Sequence, residues 1–222
     1  MVNFIIVNKM RNHAILQLIL FLCSIVSYAQ NTDCNRAVWI KEDEKKLPKE
    51  ICIPNGNYHI TEVYEKVDVN GDGLEDFIFD WNKNPLEDGD TIYVTIYTQN
   101  SDSTFSFFRT FNNLYPIYFK SYSLDYTPQD TSLISIHRKY ENFYPLHGLK
   151  FENDLIKITM RNDAETDMVI TYKYDKTIKN WRFEKSEEYY FIDSTLDPID
   201  LSNKLGPTID NFTYFIWDVS AP

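Results

Sequence analysis

Apolar and polar residues alternate with a period of two along most of the chain beyond residue 50, which is typical of β-strands. In the clearest run, residues 91–98, aliphatic side chains fall on one face and Tyr93, Thr95 and Tyr97 on the other. The pattern predicts strands at residues 51–53, 58–67, 77–81, 91–98, 105–111, 117–122, 133–137, 155–160, 168–174, 181–185, 189–192 and 212–217. Short strands separated by turn-forming clusters predict an all-β fold of antiparallel hairpins.

One short C-terminal helix is predicted as well. Asp197 is a suitable N-cap, Pro198 suits the first helical position, and Gly206 can end the helix after Leu205.

The connection after residues 58–67 carries oxygen-bearing side chains at alternate positions, Asp68, Asn70 and Asp72, followed by Asp76. Calcium takes six to eight oxygen ligands at about 2.3–2.6 Å. At least five oxygen ligands are available here, from three carboxylates, one amide oxygen and the backbone carbonyl of Leu74. The pattern therefore predicts a Ca²⁺ site in a loop whose formation accompanies strand pairing.

This loop differs from an EF-hand, which would have a bidentate Glu at its twelfth position. Phe79 occupies that position, inside a predicted strand. The alternative is a hairpin turn without metal, since Asn, Asp and Gly favour turns, and Gly73 permits a sharp one. The three aspartates within these nine residues repel one another unless a cation lies between them, which favours calcium. We expect a structural ion, because the protein oxygens nearly fill its shell.

Residues 1–29 have the features of a secretory signal peptide. Lys9 and Arg11 precede an apolar stretch at residues 14–26, and Ala29 precedes the predicted cleavage site. Met10 is an alternative start. A retained membrane anchor is disfavoured because the stretch is shorter than the roughly 20 residues that span a bilayer.

The remaining residues 30–222 are predicted to form one exported domain, which is periplasmic, secreted or on the cell surface, with a polar arm at residues 30–50 and no membrane insertion. The first 29 residues contain two of the 22 basic residues and none of the 33 acidic ones, so the formal charge of the remainder is −13 rather than −11. This charge argues against nucleic acid and anionic membranes as partners. It favours a cation, a basic protein or a neutral glycan.

Two cysteines, Cys34 and Cys52, remain after the predicted cleavage. An even pair in an exported protein predicts a single disulfide. Two free buried cysteines are the alternative. Neither cysteine has a histidine nearby in the sequence, which argues against a zinc site.

The calcium loop, residues 68–79, is followed by the tyrosine-rich run 91–98 and by the segments 113–119, 149–158 and 181–183. Together they resemble small exported bacterial calcium-binding proteins with a degenerate, FG-GAP/VCBS-like β-propeller fold. The loop itself resembles the D-x-[DN]-x-D-G-x-x-D loops of integrin-type repeats. The resemblance implies propeller-like hairpins. Some members of that group inhibit lysozyme-like peptidoglycan hydrolases as periplasmic immunity proteins.

Catalytic motifs are lacking in the sequence. His59, His137 and His147 occur in neither an H-E-x-x-H helix nor a G-x-S-x-G elbow. We therefore predict that the protein is not an enzyme, with a hydrolase that uses paired carboxylates as the lowest alternative.

A second acidic cluster comprises Asp163, Glu165 and Asp167. It has no glycine to form a turn and lies next to Arg161, so we interpret it as a solvated hairpin loop rather than a second metal site.

Tyrosines are the remaining candidates for binding, because such side chains stack on sugars and anchor protein partners. They are Tyr93, Tyr97, Tyr115, Tyr118, Tyr122, Tyr140 and Tyr144. The loop predicts a calcium-binding module. The resemblance, together with the charge of −13, implies that this module inhibits a cationic peptidoglycan hydrolase; the alternative is a glycan-binding, adhesive surface module.

Overall fold

The computed structural model describes residues 34–35, 48, 50–51, 53–54, 58–123, 125–138, 147–161 and 165–213. The predicted signal peptide, the alternative start Met10, most of the polar arm and Cys52 lie outside these residues, so the signal and the disulfide stay predictions. Within the described ranges, no helix has the length and apolar character needed to cross a bilayer.

The described residues contain eleven strands, arranged in two antiparallel meanders and one small pair. They are β1 (Cys34–Asn35), β2 (Ile53–Pro54), β3 (Tyr58–Val67), β4 (Asp76–Lys83), β5 (Tyr93–Gln99), β6 (Phe105–Phe111), β7 (His147–Glu152), β8 (Leu155–Arg161), β9 (Thr166–Asp175), β10 (Asn180–Tyr190) and β11 (Thr195–Pro198). The first sheet has the order β3-β4-β5-β6, the second β11-β10-β9-β8-β7, and β1 pairs with β2. The all-β class is confirmed.

The main core lies between the two large sheets. Ile78 and Ile96 of the first sheet belong to one buried cluster with Ile158, Ile170 and Trp181 of the second. Burial of apolar surface between two sheet faces supplies most of the stabilisation of such a fold.

A second core covers the outer face of the first sheet. Phe79 and Trp81 of β4 pack there with Ile51 and Ile53. Because successive residues of a strand face opposite sides, β4 is buried on both faces, which explains its nearly continuous apolar sequence.

A β-bulge in β3 decides which of its side chains face the second sheet. Ile60 and Glu62 pair with adjacent residues of β4 and leave Thr61 as the extra residue. Ile60 therefore packs in the outer core, while Glu62 and Tyr64 face inward. The ring of Tyr64 contacts Phe151 of β7 at 4.7 Å between centroids. A bulge re-aims side chains in this way.

Two of the predicted strands are wrong. Residues 117–122 form an irregular segment, since Tyr118 exchanges backbone hydrogen bonds with Gly89 and Asp90 of a loop rather than with a strand. Residues 133–137 are helical. Asp130 accepts a hydrogen bond from the Ser132 amide and caps a 3₁₀ turn, Thr131–Leu133, which continues into the short helix α1 (Ile134–His137).

The predicted C-terminal helix is also wrong. Thr195–Pro198 is the strand β11, in which Asp197 lies opposite Glu188 of β10. Leu201 is buried and followed by turns, and a 3₁₀ turn forms only at Ile209–Asn211. The segments 181–185 and 189–192 belong largely to one strand, because β10 pairs with β9 continuously across a bulge.

The remaining differences lie at the first predicted strand, at β7 and at the end of the chain. Ile51 is not in a strand, and β2 begins at Ile53. β7 was not predicted as a strand, although its pairing with β8 covers its whole length. Phe212 lies after the last 3₁₀ turn and is not in a strand. The rest of the segment predicted at 212–217 extends beyond the described residues.

Candidate functional sites

The predicted calcium loop connects β3 to β4 and has the tight geometry that its glycines permit. Gly71 has a φ of +68° and Gly73 one of +90°. These left-handed conformations are unfavourable for residues with a Cβ atom. The two glycines therefore bring the polar side chains of the loop back toward its own backbone.

Hydrogen bonds turn the side-chain oxygens of the loop inward. Asp68 accepts from the Asp72 amide at 3.0 Å and from the Gly73 amide at 2.8 Å. Asn70 Oδ1 accepts from the Asp72 amide at 2.9 Å, and Asp72 Oδ1 from the Leu74 amide at 2.9 Å. Three of the five predicted ligands thus already face the loop interior.

Asp76 closes the loop from inside the first sheet, where it is buried. Its carboxylate accepts from the amides of Val69 at 3.0 Å and Gln99 at 3.1 Å. Burial raises the pKa of Asp76 to about 6, although these two hydrogen bonds lower it; the charges of Asp72 and Asp68 raise it further. Negative charge is therefore concentrated where the sequence predicts the cation.

The donor set fits calcium chemically, since carboxylate, amide and carbonyl oxygens are its preferred ligands. In the described part of the chain, no three His, Cys, Asp or Glu side chains are grouped so as to hold a metal. The carboxylates of Asp68, Asp72 and Asp76 accept backbone hydrogen bonds instead, and an ion would have to draw them together. Ligation of Ca²⁺ by Asp68, Asn70, Asp72, Leu74 and Asp76 stays a prediction.

The loop also joins the two sheets. The Asp68 carbonyl accepts a hydrogen bond of 2.9 Å from the amide of Asp154, in the turn between β7 and β8. Lys176, between β9 and β10, donates from Nζ to the Gly71 carbonyl at 2.6 Å. A Cβ at Gly71 would lie 3.3 Å from the Cβ of Asp154, so the approach is close. Ordering the loop therefore also orders the contact between the sheets.

A separate cavity of about 660 Å³ lies between the edge strands β3 and β7 and opens to solvent. Its polar lining consists mainly of two acids and four tyrosines: Glu62, Asp80, Tyr64, Tyr115, Tyr118 and Tyr122. The sequence singled out the last three of these tyrosines, and the structure brings them together.

The other tyrosines lie elsewhere. Tyr93 and Tyr97 pack on the outer face of the first sheet, with the ring of Tyr93 stacked 4.3 Å from that of Trp81. Tyr140 and Tyr144 are outside the described residues.

Asp80 is the central group of the cavity and is only 2% exposed. Its Oδ2 atom accepts hydrogen bonds from the hydroxyl of Tyr64 at 2.9 Å and from that of Tyr115. The two hydroxyl oxygens are 3.2 Å apart. Its Oδ1 atom is buried without a hydrogen-bond partner in the described structure.

The cavity perturbs the ionisation of these groups. Burial raises the pKa of Asp80 to about 7, even though the hydrogen bonds from Tyr115 and Tyr64 lower it, and the charge of Glu62 raises it further. Burial and the nearby Asp80 raise the pKa of both tyrosines, which therefore remain hydrogen-bond donors at neutral pH. Perturbed carboxyls in a cleft are typical of functional sites.

Sequence reasoning missed Asp80. The available signal was a single acid within the otherwise apolar run Phe77–Trp81, since a charged residue in such a strand needs partners or a function. Its partners come from β3, whose bulge was not predicted, and from the irregular segment after β6, part of which was predicted as a strand.

Two histidines have buried positions. His137 contacts the ring of Phe119 at 5.0 Å, and its Nε2 lies 2.9 Å from the Ser121 carbonyl oxygen. His59 lies opposite Asn82, and burial lowers its pKa. The side chain of His147 is outside the described structure.

In the second acidic cluster, Asp167 pairs with the neighbouring strand: its Oδ1 lies 2.7 Å from Arg161 Nε. Glu165 is exposed at the end of the β8–β9 hairpin, and Asp163 is not among the described residues.

Comparison of the chain with protein-family models, with curated proteins and with solved structures finds no match.

Proposed function

We propose that this protein is an exported binding module that a calcium ion stabilises and that carries out no catalysis. The observation that supports this most directly is the position of the acidic loop, whose Asp68 and Gly71 carbonyls accept hydrogen bonds from Asp154 and Lys176 of the second sheet. An ion bound there would hold together both the β3–β4 hairpin and the sheet contact.

The resemblance to calcium-binding propellers also enters this proposal. Each large sheet is an up-and-down antiparallel meander, as in a propeller blade. We propose that the two meanders correspond to blades of a degenerate propeller in which only the first has kept its calcium loop.

The partner proposed is a basic peptidoglycan hydrolase of the lysozyme type. The formal charge of −13 after the predicted cleavage suits a cationic protein, and the family resemblance suggests the hydrolase class. Opposite charges steer association and strengthen it at low ionic strength.

We expect binding to a basic lysozyme-type hydrolase to weaken by at least about tenfold between 0.1 and 1 M NaCl, because the screening length falls from about 10 to about 3 Å. The measurement is a calorimetric or surface-immobilised titration with calcium present, alongside a peptidoglycan-lysis assay. An acidic hydrolase of similar size is the control and is expected not to bind.

Affinity that does not change with salt would contradict this proposal. Saturable binding of cell-wall glycan with lysis unaffected would support the adhesive alternative instead. Turnover of peptidoglycan by the purified protein would contradict the absence of catalysis.

A further inference from the structure

We propose that the cavity between β3 and β7 binds a primary ammonium group carried on an apolar body, with the carboxylate of Asp80 as its acceptor. This site is independent of the calcium loop and of the proposed hydrolase. It rests on the hydrogen bonding, charge and lining of the cavity.

The first argument is a buried acceptor without a donor. Oδ1 of Asp80 has no donor in the described structure. A buried acceptor without a donor destabilises a protein. A ligand that brings several N–H groups would satisfy this need, and a primary ammonium has three.

The second argument is charge. Glu62 lies opposite Asp80 in the β3–β4 pairing, so two carboxyl groups share the cavity. None of the described residues that line it is Lys, Arg or His. A cation would relieve the repulsion between the carboxylates and offset the cost of burying the charge of Asp80. An anionic ligand would be repelled.

The third argument is the rest of the lining. Tyr118 and Tyr122 supply aromatic surface, which attracts organic cations through the ring quadrupole. Ile92, Pro116 and Leu149 supply apolar surface for the body of the ligand. A volume of about 660 Å³ is typical of sites for small organic molecules.

A neutral sugar fits this lining less well. Sugar hydroxyls need donors as well as acceptors. The hydroxyls of Tyr64 and Tyr115 already donate to Asp80. The cavity is therefore better matched to a ligand that donates than to one that also accepts.

The experiment is a titration of the full chain with phenethylamine and with its neutral analogue 2-phenylethanol, followed by NMR or calorimetry at pH 8 up to millimolar concentration. An alkylammonium has a pKa near that of lysine, so it is charged at this pH. We expect saturable binding of the amine and at least tenfold weaker binding of the alcohol. Nα-acetyl-lysine amide is a third probe. If it binds more tightly than phenethylamine, the source of the ammonium is a lysine side chain of a partner protein. If it binds more weakly, the source is a free amine.

The Asp80→Asn variant removes the charge and is expected to lower amine affinity at least tenfold. It replaces a buried ionisable group by a neutral one of the same shape, so folding is expected to be retained. Asp88→Asn is the matched control, because Asp88 also accepts a tyrosine hydroxyl, from Tyr126, but lies outside the cavity. We expect the Asp88→Asn variant to bind the amine with the affinity of the wild type.

Three results of the amine titrations would overturn the proposal. They are absence of saturable amine binding, equal binding of the amine and the alcohol, and unchanged amine binding by Asp80→Asn. Preferential binding of an N-acetylglucosamine oligosaccharide over the amine would assign the cavity to a neutral glycan and would equally overturn it.

Discussion

Adding calcium to the metal-free protein is expected to raise its melting temperature by about 5–10 °C. A ligand that binds only the folded state at one hundred times its Kd stabilises it by about 2.7 kcal/mol. For a protein of this size, each kcal/mol corresponds to roughly 2–4 °C. The structural reason is that the loop at Asp68–Asp76 joins β3 to β4 and also contacts the second sheet through Asp154.

The variant Asp72→Ala tests this expectation, since it removes a predicted ligand that lies exposed in the loop. We expect it to abolish the calcium-dependent rise. Asp102→Ala is the matched control: Asp102 is also exposed and caps a turn by accepting from the Thr104 amide at 3.0 Å, but it lies between β5 and β6. Asp102→Ala should retain the full rise. Melting curves of the wild type that coincide in calcium and in chelator would contradict the metal site.

Replacing Asp80 by Asn is expected to stabilise the protein at neutral pH and to leave it nearly unchanged near pH 4. Burial raises the pKa of Asp80 from an ordinary 3.8 to about 7. Each unit of pKa difference between the folded and unfolded states corresponds to about 1.4 kcal/mol, so the effect is on the order of 4 kcal/mol.

The direction follows from proton linkage. Below pH 4 the Asp80 carboxyl is protonated in both the folded and the unfolded state, so it does not change the free energy of unfolding. Between about pH 4 and pH 7 the unfolded chain ionises while the folded protein keeps its proton, so the wild type loses stability as the pH rises. Above pH 7 the loss is complete. The ionisable groups that face Asp80 are Glu62 and Tyr64 from β3 and Tyr115 from the segment after β6. The apolar neighbours are Val94 of β5, Leu149 of β7 and Ile92, which lies just before β5.

Urea unfolding from pH 4 to pH 8 in chelator measures this difference. Asp76 also titrates in this range, but it is common to both proteins, so the difference between wild type and variant isolates Asp80. Asp88→Asn is again the control and should show no comparable pH-dependent gain. A difference between wild type and Asp80→Asn that stays constant with pH would show that the buried carboxyl does not resist ionisation.

Strand positions were predictable where the alternation was strong and the turns were marked by Gly, Asn or Asp. The bounds of β3 and β6 are those expected from the sequence, and the acidic loop lies where predicted. Short apolar runs were not predictable: residues 133–137 satisfy a strand pattern, but the cap at Asp130 selects a helical turn. Periodicity alone cannot distinguish these two states over five residues.

The cavity could be predicted only in part. Tyr115, Tyr118 and Tyr122 stood out as a cluster in the sequence, but Asp80 did not, because its surroundings depend on long-range packing. The bulge at Thr61 turns Glu62 and Tyr64 toward the cavity. Tyr115 lies 35 residues after Asp80 in the sequence and still contacts it. Neither relation is contained in local propensity or spacing.

The central claim, one calcium ion held by the β3–β4 loop, is tested most directly by calorimetric titration of the metal-free protein with calcium. The prediction is saturable binding of one ion per chain, retained in Asp102→Ala and lost in Asp72→Ala. Absence of saturable binding, or the same isotherm for Asp72→Ala and the wild type, would contradict the claim.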